Sequence, residues 1–127
     1  KFLMDFWKTL TESIIEWQQI MKKELTPKEL RINYITGHGV FFEAMGLVGN
    51  YLRKYHKNDW KVYISKLSKV DWMRQNSELW EGRAIKNGRV RKNTQTIKLT
   101  AIQIKKQLEL PLTKQELQFE NEFMKGV

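Results

Sequence analysis

The sequence predicts an all-α fold, a compact multi-helix domain with an irregular basic segment between helices. Apolar residues recur every three or four positions over several stretches, which is the period of an amphipathic helix. Two N-cap signatures, at Thr26 and Thr113, begin further helices. No alternation of apolar and polar residues is long enough to predict a strand. Because the 127 residues are 41% hydrophobic, we expect residues 1–127 to form a single helical domain.

The first helix is predicted over residues 3–23, with one apolar stripe formed by Phe6, Leu10, Ile14, Trp17 and Met21. A second helix follows at once. Thr26 is its N-cap, Pro27 occupies the first helical position, and Glu29 completes a capping box.

A central helix is predicted over residues 39–55, where apolar side chains cover most of the circumference and indicate packing on several sides. Gly46 and Gly49 lower helix propensity there but permit a neighbouring helix to approach closely. Asn58 is expected to cap the next helix, whose apolar face carries Trp60, Ile64 and Leu67.

Residues 71–93 show little periodicity, and we predict a short helical turn around Leu79 and Trp80 followed by an extended or looped segment. Thr96 opens a helix that Pro111 ends. Thr113 and Glu116 form a second capping box, which starts a last helix reaching about Met124. The residues expected to be buried are Phe6, Leu10, Ile14, Phe41, Val48, Leu52, Ile97, Ile104 and Leu117.

Composition excludes several classes of protein. The absence of cysteine rules out a disulfide scaffold, a thiolate metal site and a cysteine nucleophile, and it fits a reducing compartment. No apolar run is long enough to span a bilayer, and no signal peptide is recognisable, so we expect a cytoplasmic protein without a membrane partner. The chain begins at Lys1, and we expect it to be the C-terminal fragment of a longer protein.

The charge of +9 is unevenly distributed. Residues 82–108 contain eight lysines and arginines and no acidic residue, and the remainder of the chain sums to only +1. Such a block favours a local contact with a polyanion, because long cationic side chains reach phosphates and arginine adds a planar fork. The candidate nucleic-acid-binding residues are Arg83, Lys86, Arg89, Arg91, Lys92, Asn93, Gln95 and Lys98, of which Asn93 and Gln95 are candidates for base edges. The alternatives are a solvated loop and a contact with an acidic protein.

Trp72 and Trp80 could stack on the bases of a single strand, but we interpret both as core residues that pack under the basic segment. His38, between two glycines and five residues before Glu43, could suggest a catalytic site. We interpret it as a structural histidine, since no partner stands at metal-ligand spacing. The scattered acidic residues and the absence of a phosphate-binding P-loop predict no metal and no other cofactor.

Residues 71–116 contain a distinctive series of short motifs. They are Asp71-Trp72-x-Arg74-x-Asn76, Trp80-x-Gly82-Arg83-Ala84, Gly88-Arg89, Lys92, Leu99-Thr100, Ile104-Lys105 and Leu110-Pro111-Leu112-Thr113-x-x-Glu116. With these motifs the sequence resembles the C-terminal part of the DNA sulfur modification family DndB, within the wider group named for a DGQHR motif. A weaker likeness extends over residues 31–122, although Glu109 stands where a glycine is expected and the DGQHR motif itself is absent.

This resemblance implies a role in bacterial DNA phosphorothioation. Members of the family are regulatory: they bind DNA upstream of the modification genes and temper modification, while other proteins insert the sulfur. We therefore expect a DNA-binding regulatory domain that is not an enzyme and whose partner is double-stranded DNA. The rival hypothesis is a module that docks an acidic protein of the modification machinery, and an enzyme centred on His38 and Glu43 comes third.

Overall fold

The computed structural model describes residues 1–126. It confirms the all-α prediction, with a single small two-stranded sheet among the described residues. The helices are α1 (Phe2–Ser13), α2 (Ile15–Met21), α3 (Pro27–Asn33), α4 (Gly39–Tyr55), α5 (Trp60–Ser65), α6 (Ser77–Trp80), α7 (Thr94–Gln107) and α8 (Lys114–Lys125). Short 3-10 turns at Ile35–Gly37 and Lys66–Lys69 and the strands β1 (Ile85–Lys86) and β2 (Arg89–Val90) complete the order.

The prediction of a single N-terminal helix over residues 3–23 is wrong, because the helix is interrupted at Ile14. This residue has extended backbone angles, φ −91° and ψ 109°, and its side chain is fully buried. The break redirects α2, so that the indole N–H of Trp17 donates to the carbonyl of Thr36 at 3.2 Å. Met21 ends the predicted stripe but is exposed. Burial of Ile14 and the indole hydrogen bond offset the loss of helix continuity.

Both predicted capping boxes are confirmed, with reciprocal bonds between Thr26 and Glu29 and between Thr113 and Glu116. Two other predicted helix starts are wrong. Asp59, rather than Asn58, precedes α5, and it makes no side-chain cap. Helix α7 begins two residues before Thr96, because the side chains of Asn93 and Thr96 each accept from the other's backbone N–H at 2.9 Å.

The core centres on α4, which packs most extensively against α7. Seven of the nine residues predicted to be buried are buried, whereas Ile97 is only partly buried and Leu117 is 50% exposed. The prediction that Leu117 is buried was wrong, because α8 packs on the body through a different face. That face turns Phe119, Glu120 and Phe123 inward.

Trp72 and Trp80 are core residues, as predicted. Their rings stack at 5.4 Å between centroids with 16° between planes, and both are buried. Each indole N–H has a partner: Trp72 donates to the carbonyl of Leu67 at 3.1 Å, and Trp80 to that of Asp71 at 2.9 Å. The pair is therefore a fixed part of the buried core.

The turn after α7 contains Glu109, which stands at the position where a glycine was expected. Glu109 has φ +61°, the left-handed conformation that glycine adopts most easily. The backbone thus keeps the turn that a glycine would give, although a glutamate occupies the position. No helix within residues 1–126 has the length and apolar character needed to span a membrane.

Candidate nucleic-acid interface

The predicted irregular basic segment contains a β-hairpin. Ile85 pairs with Val90 and Lys86 with Arg89, in antiparallel register. Asn87 and Gly88 form the two-residue turn with φ +53° and +77°, the positive angles that a tight hairpin turn requires. An Asn-Gly dipeptide between two short segments of residues that favour strands is a strong signal for a hairpin. The hairpin was not predicted, because its strands are too short to show an alternation of apolar and polar residues.

Arg74 fixes the hairpin turn to the helical body. Its guanidinium donates to the carbonyl of Gly88 at 3.1 Å and to that of Ile32 at 3.1 Å, so it links the turn to the end of α3. On the other side, the backbone N–H of Asn87 donates to the carboxylate of Glu81 at 3.1 Å. The hairpin is therefore held in one orientation although its strands are short.

Five of the predicted cations lie at the surface. Lys92 is the only one of the five for which an ion pair is found within residues 1–126: its Nζ lies 3.2 Å from Glu43, and both side chains are about half exposed. An exposed pair of this kind is weak, and a polyanion can compete for the lysine. The exposed cations lie on the hairpin, on the segment after it and on α7, and they are Lys86, Arg89, Arg91, Lys92 and Lys98.

The structure corrects the prediction for Arg83. Its side chain is 4% exposed and forms a two-pronged ion pair with Glu120, with nitrogen–oxygen distances of 2.8 and 2.7 Å. It also donates to the carbonyl of Leu99 at 3.0 Å and lies 4.5 Å from the ring centroid of Phe123. Arg83 is therefore an interior residue in this structure and cannot contact phosphate there.

Two other cations of residues 82–108 are also paired with carboxylates of α8. The Nζ atom of Lys105 lies 2.6 Å from Glu116 and 3.6 Å from the ring centroid of Tyr51, and the side chain is 2% exposed. Lys106 reaches Glu120 at 2.9 Å. Of the eight cations of the block, Arg83 and Lys105 are buried against α8, Lys106 is exposed but paired with α8, and the other five are exposed and make no ion pair with α8.

The two residues predicted to contact base edges, Asn93 and Gln95, differ in their hydrogen bonding. Asn93 is exposed, but its side-chain oxygen caps α7, which leaves only its amide nitrogen for another partner. Gln95, in the first turn of α7, is exposed. The structure thus gives Asn93 a structural function that the sequence interpretation did not assign, and it leaves Gln95 accessible.

The sequence interpretation did not include Arg31 and Arg74, which lie beside the hairpin. Arg31 is exposed at the end of α3, where its carbonyl faces the Arg74 guanidinium at 3.4 Å. Arg74 lies eight positions before the basic block of residues 82–108 and Arg31 lies 51 positions before it, so the charge count over that block included neither.

His38 occupies the structural role that was predicted for it. Its Nε2 donates to the carbonyl of Arg31 at 2.7 Å. Desolvation lowers the pKa of His38, and the charges of Arg31 and Arg74 lower it further, which outweighs the opposing effect of the hydrogen bond. Glu43 pairs with Lys92, and residues 1–126 contain no group of three side chains able to hold a metal ion.

Together these features define a mostly helical domain whose basic hairpin and adjoining helix present an exposed cationic surface. Residues 1–111 match the family described as DndB: DNA-sulfur modification-associated, and because the match covers most of the chain, the chain belongs to the DndB family. The family is linked to DNA sulfur modification. The chain shows no significant similarity to a curated protein or to a solved structure.

Proposed function

We propose that this domain binds double-stranded DNA and acts as a regulatory, non-catalytic component of DNA sulfur modification. The observation that supports this most directly is the surface formed by the hairpin and the start of α7. Within it, five exposed cations are held on a backbone that Arg74 and the Asn93 cap make rigid. We name these five residues, Lys86, Arg89, Arg91, Lys92 and Lys98, the cationic surface.

The chemistry of this surface suits the sugar–phosphate backbone. Lysine and arginine neutralise phosphates and release the counterions that are condensed on duplex DNA, so affinity falls steeply with salt. Arg89 and Arg91 add planar forks that can take two oxygens of one phosphate. Gln95 supplies an exposed amide beside them, which is suited to a base edge or to the backbone. Such a surface needs no cofactor.

A salt series tests the proposal. If about five cations contact phosphates, the slope of log affinity against log salt should be about −4 to −5 on duplex DNA. Replacing Arg89, Arg91 and Lys92 together by alanine should flatten that slope by roughly three units, because three phosphate contacts are lost. The loss should be similar for all sequences, since phosphate contacts carry no sequence information.

The matched control replaces Lys54, Lys57 and Lys61 by alanine, which removes the same charge from the C-terminal end of α4, the turn that follows it and α5. Its slope should equal that of the wild type. Equal effects of the two triple variants would mean that binding follows net charge, and the cationic surface would not be the interface. Weak, salt-sensitive DNA binding together with tight binding to an acidic protein of the modification machinery would favour the rival hypothesis.

A further inference from the structure

We propose that α8 covers a second phosphate-binding site, formed by the buried Arg83 and Lys105 with the exposed Lys106 at its edge, and that nucleic acid displaces this helix to extend the cationic surface. The inference deepens the proposed function and rests on it. In the structure, all three cations are paired with carboxylates of α8.

The covered site has the geometry of an anion site. The two terminal nitrogens of Arg83 hold the two oxygens of Glu120 at 2.8 and 2.7 Å, and Lys106 reaches the same carboxylate at 2.9 Å. One anionic group thus receives three charge-assisted hydrogen bonds. A phosphodiester presents two such oxygens in a similar arrangement, and arginine binds both kinds of group through its fork.

Helix α8 is attached mainly by charge. Glu120 is its only buried residue, and Phe119 and Phe123 are partly exposed. Its other large apolar side chains, Leu117 and Met124, are about half exposed. A polyanion competes for ion pairs, whereas it cannot compete for buried apolar contacts, so this mode of attachment is the one that DNA could reverse.

The packing around α8 leaves open space on both sides. A cleft of about 420 Å³ separates it from α4 and α7 near Leu47 and Ala101, and another of about 140 Å³ lies beside Leu99 and Phe123. Close packing resists movement of a helix, and α8 is not closely packed along these two clefts. It contacts the body through Glu120, paired with Arg83, and through Phe123, which lies against Gly82.

The covered site is continuous with the cationic surface. The Nζ atom of Lys98, one of the five exposed cations, lies 5.8 Å from the ring centroid of Phe119 on α8. A DNA backbone bound at Lys98 would therefore meet α8 next. The family match ends at residue 111, so the carboxylates that cover the site belong to a segment outside it.

The exchange keeps Arg83 and Lys106 paired, while Lys105 loses Glu116 and keeps its contact with the Tyr51 ring. If α8 simply detached, Arg83 would lose Glu120 and keep only its hydrogen bond to the carbonyl of Leu99, which is unfavourable for a desolvated charge. If a phosphate replaces Glu120, the guanidinium and Lys106 keep an anionic partner while Glu120 enters water. We therefore expect α8 to open in the presence of DNA and to stay docked in its absence.

The first test compares Glu120→Gln with Glu122→Gln, an exposed position two residues away that gives the same charge change. Both variants are measured on one random-sequence duplex at one salt concentration. Glu120→Gln should bind about tenfold more tightly than Glu122→Gln, the effect expected when one competing charge-assisted hydrogen bond is weakened. Equal affinities of two folded variants would overturn the inference.

The second test uses the unmodified protein and does not depend on how well a variant folds. Hydrogen exchange of the amides in α8 is measured with and without the duplex, with α4 as internal reference. Faster exchange in α8 on DNA addition supports displacement, and unchanged or slower exchange overturns it. If Arg89, Arg91 and Lys92 prove unimportant for DNA binding, the proposed function fails. If they matter while α8 stays protected, only this inference fails.

Discussion

Glu16 has a buried carboxylate oxygen without a hydrogen-bond partner in the structure. Desolvation raises the pKa of Glu16 and the charge of Asp71 raises it further, against the opposing effect of a backbone hydrogen bond. Folding raises the pKa of this carboxyl group above its ordinary value of 4.5, so the protonated form of Glu16 is the one that favours the folded state. Its contribution is therefore present at low pH and is lost as the pH rises through the folded pKa.

Glu16→Gln should consequently stabilise the protein at neutral pH, by about 1 kcal/mol, because a desolvated negative charge is removed. The gain should shrink below pH 4.5, where the glutamate is itself largely protonated. Thermal unfolding at pH 7 and pH 4 measures both effects. Glu12→Gln, at an exposed position of α1, is the control and should change little at either pH. A Glu16→Gln variant less stable than the wild type at pH 7 would contradict this account.

The two glycines in the interior of α4, Gly46 and Gly49, differ in their surroundings. An added Cβ at Gly49 would lie 2.7 Å from a ring carbon of Phe6, so this glycine permits the close approach of α1 that the sequence predicted. At Gly46 no atom lies within 4 Å of such a Cβ. The prediction of close approach therefore holds for one glycine and not for the other.

The two alanine variants should have opposite effects. Gly46→Ala should stabilise α4 by about 0.5–1 kcal/mol through helix propensity alone. Gly49→Ala should cost about 1–3 kcal/mol, because the buried Phe6 ring would have to shift against the rings of Phe2, Trp7 and Trp60. Denaturant unfolding of both variants gives the free energies. Destabilisation by Gly46→Ala would show that the open side of α4 is covered in solution.

At the scale of the whole molecule, the exposed cations of the cationic surface repel one another. Of these five cations, Lys92 has the one ion pair found within residues 1–126, and that pair is exposed. Because exposed pairs contribute little and like charges oppose folding, the surface does not serve stability. In this respect the five cations differ from Arg83 and Lys105, which are buried and paired with carboxylates.

The Arg89, Arg91 and Lys92 triple variant should accordingly be as stable as the wild type or up to about 1 kcal/mol more stable at low ionic strength. The difference should shrink as salt screens the repulsion. Denaturant unfolding at two salt concentrations measures this, with the Lys54, Lys57 and Lys61 variant alongside. A loss of several kcal/mol would instead assign these cations a structural role.

The sequence predicted most of the helices because each depends on local signals, the apolar period and the caps. It could not predict the break at Ile14 or the exposure of Leu117, which depend on what the distant parts of the chain offer as packing partners. The same limit applies to the site. The ion pair of Arg83 joins residues 37 positions apart, so the sequence shows the charge but not its partner.

Eight phenylalanine and tryptophan rings form a continuous network of contacts, from Phe2 and Trp60 through Phe6, Trp7, Phe42 and Phe41 to Trp72 and Trp80. Trp17 joins it through Phe41 and Phe42, so all five tryptophans are included. Indoles this close exchange excitation energy, and their emission reports the network as a whole. The intrinsic fluorescence of the protein is therefore a built-in optical signal for cooperative unfolding, largely insensitive to movement of α8, which carries no tryptophan.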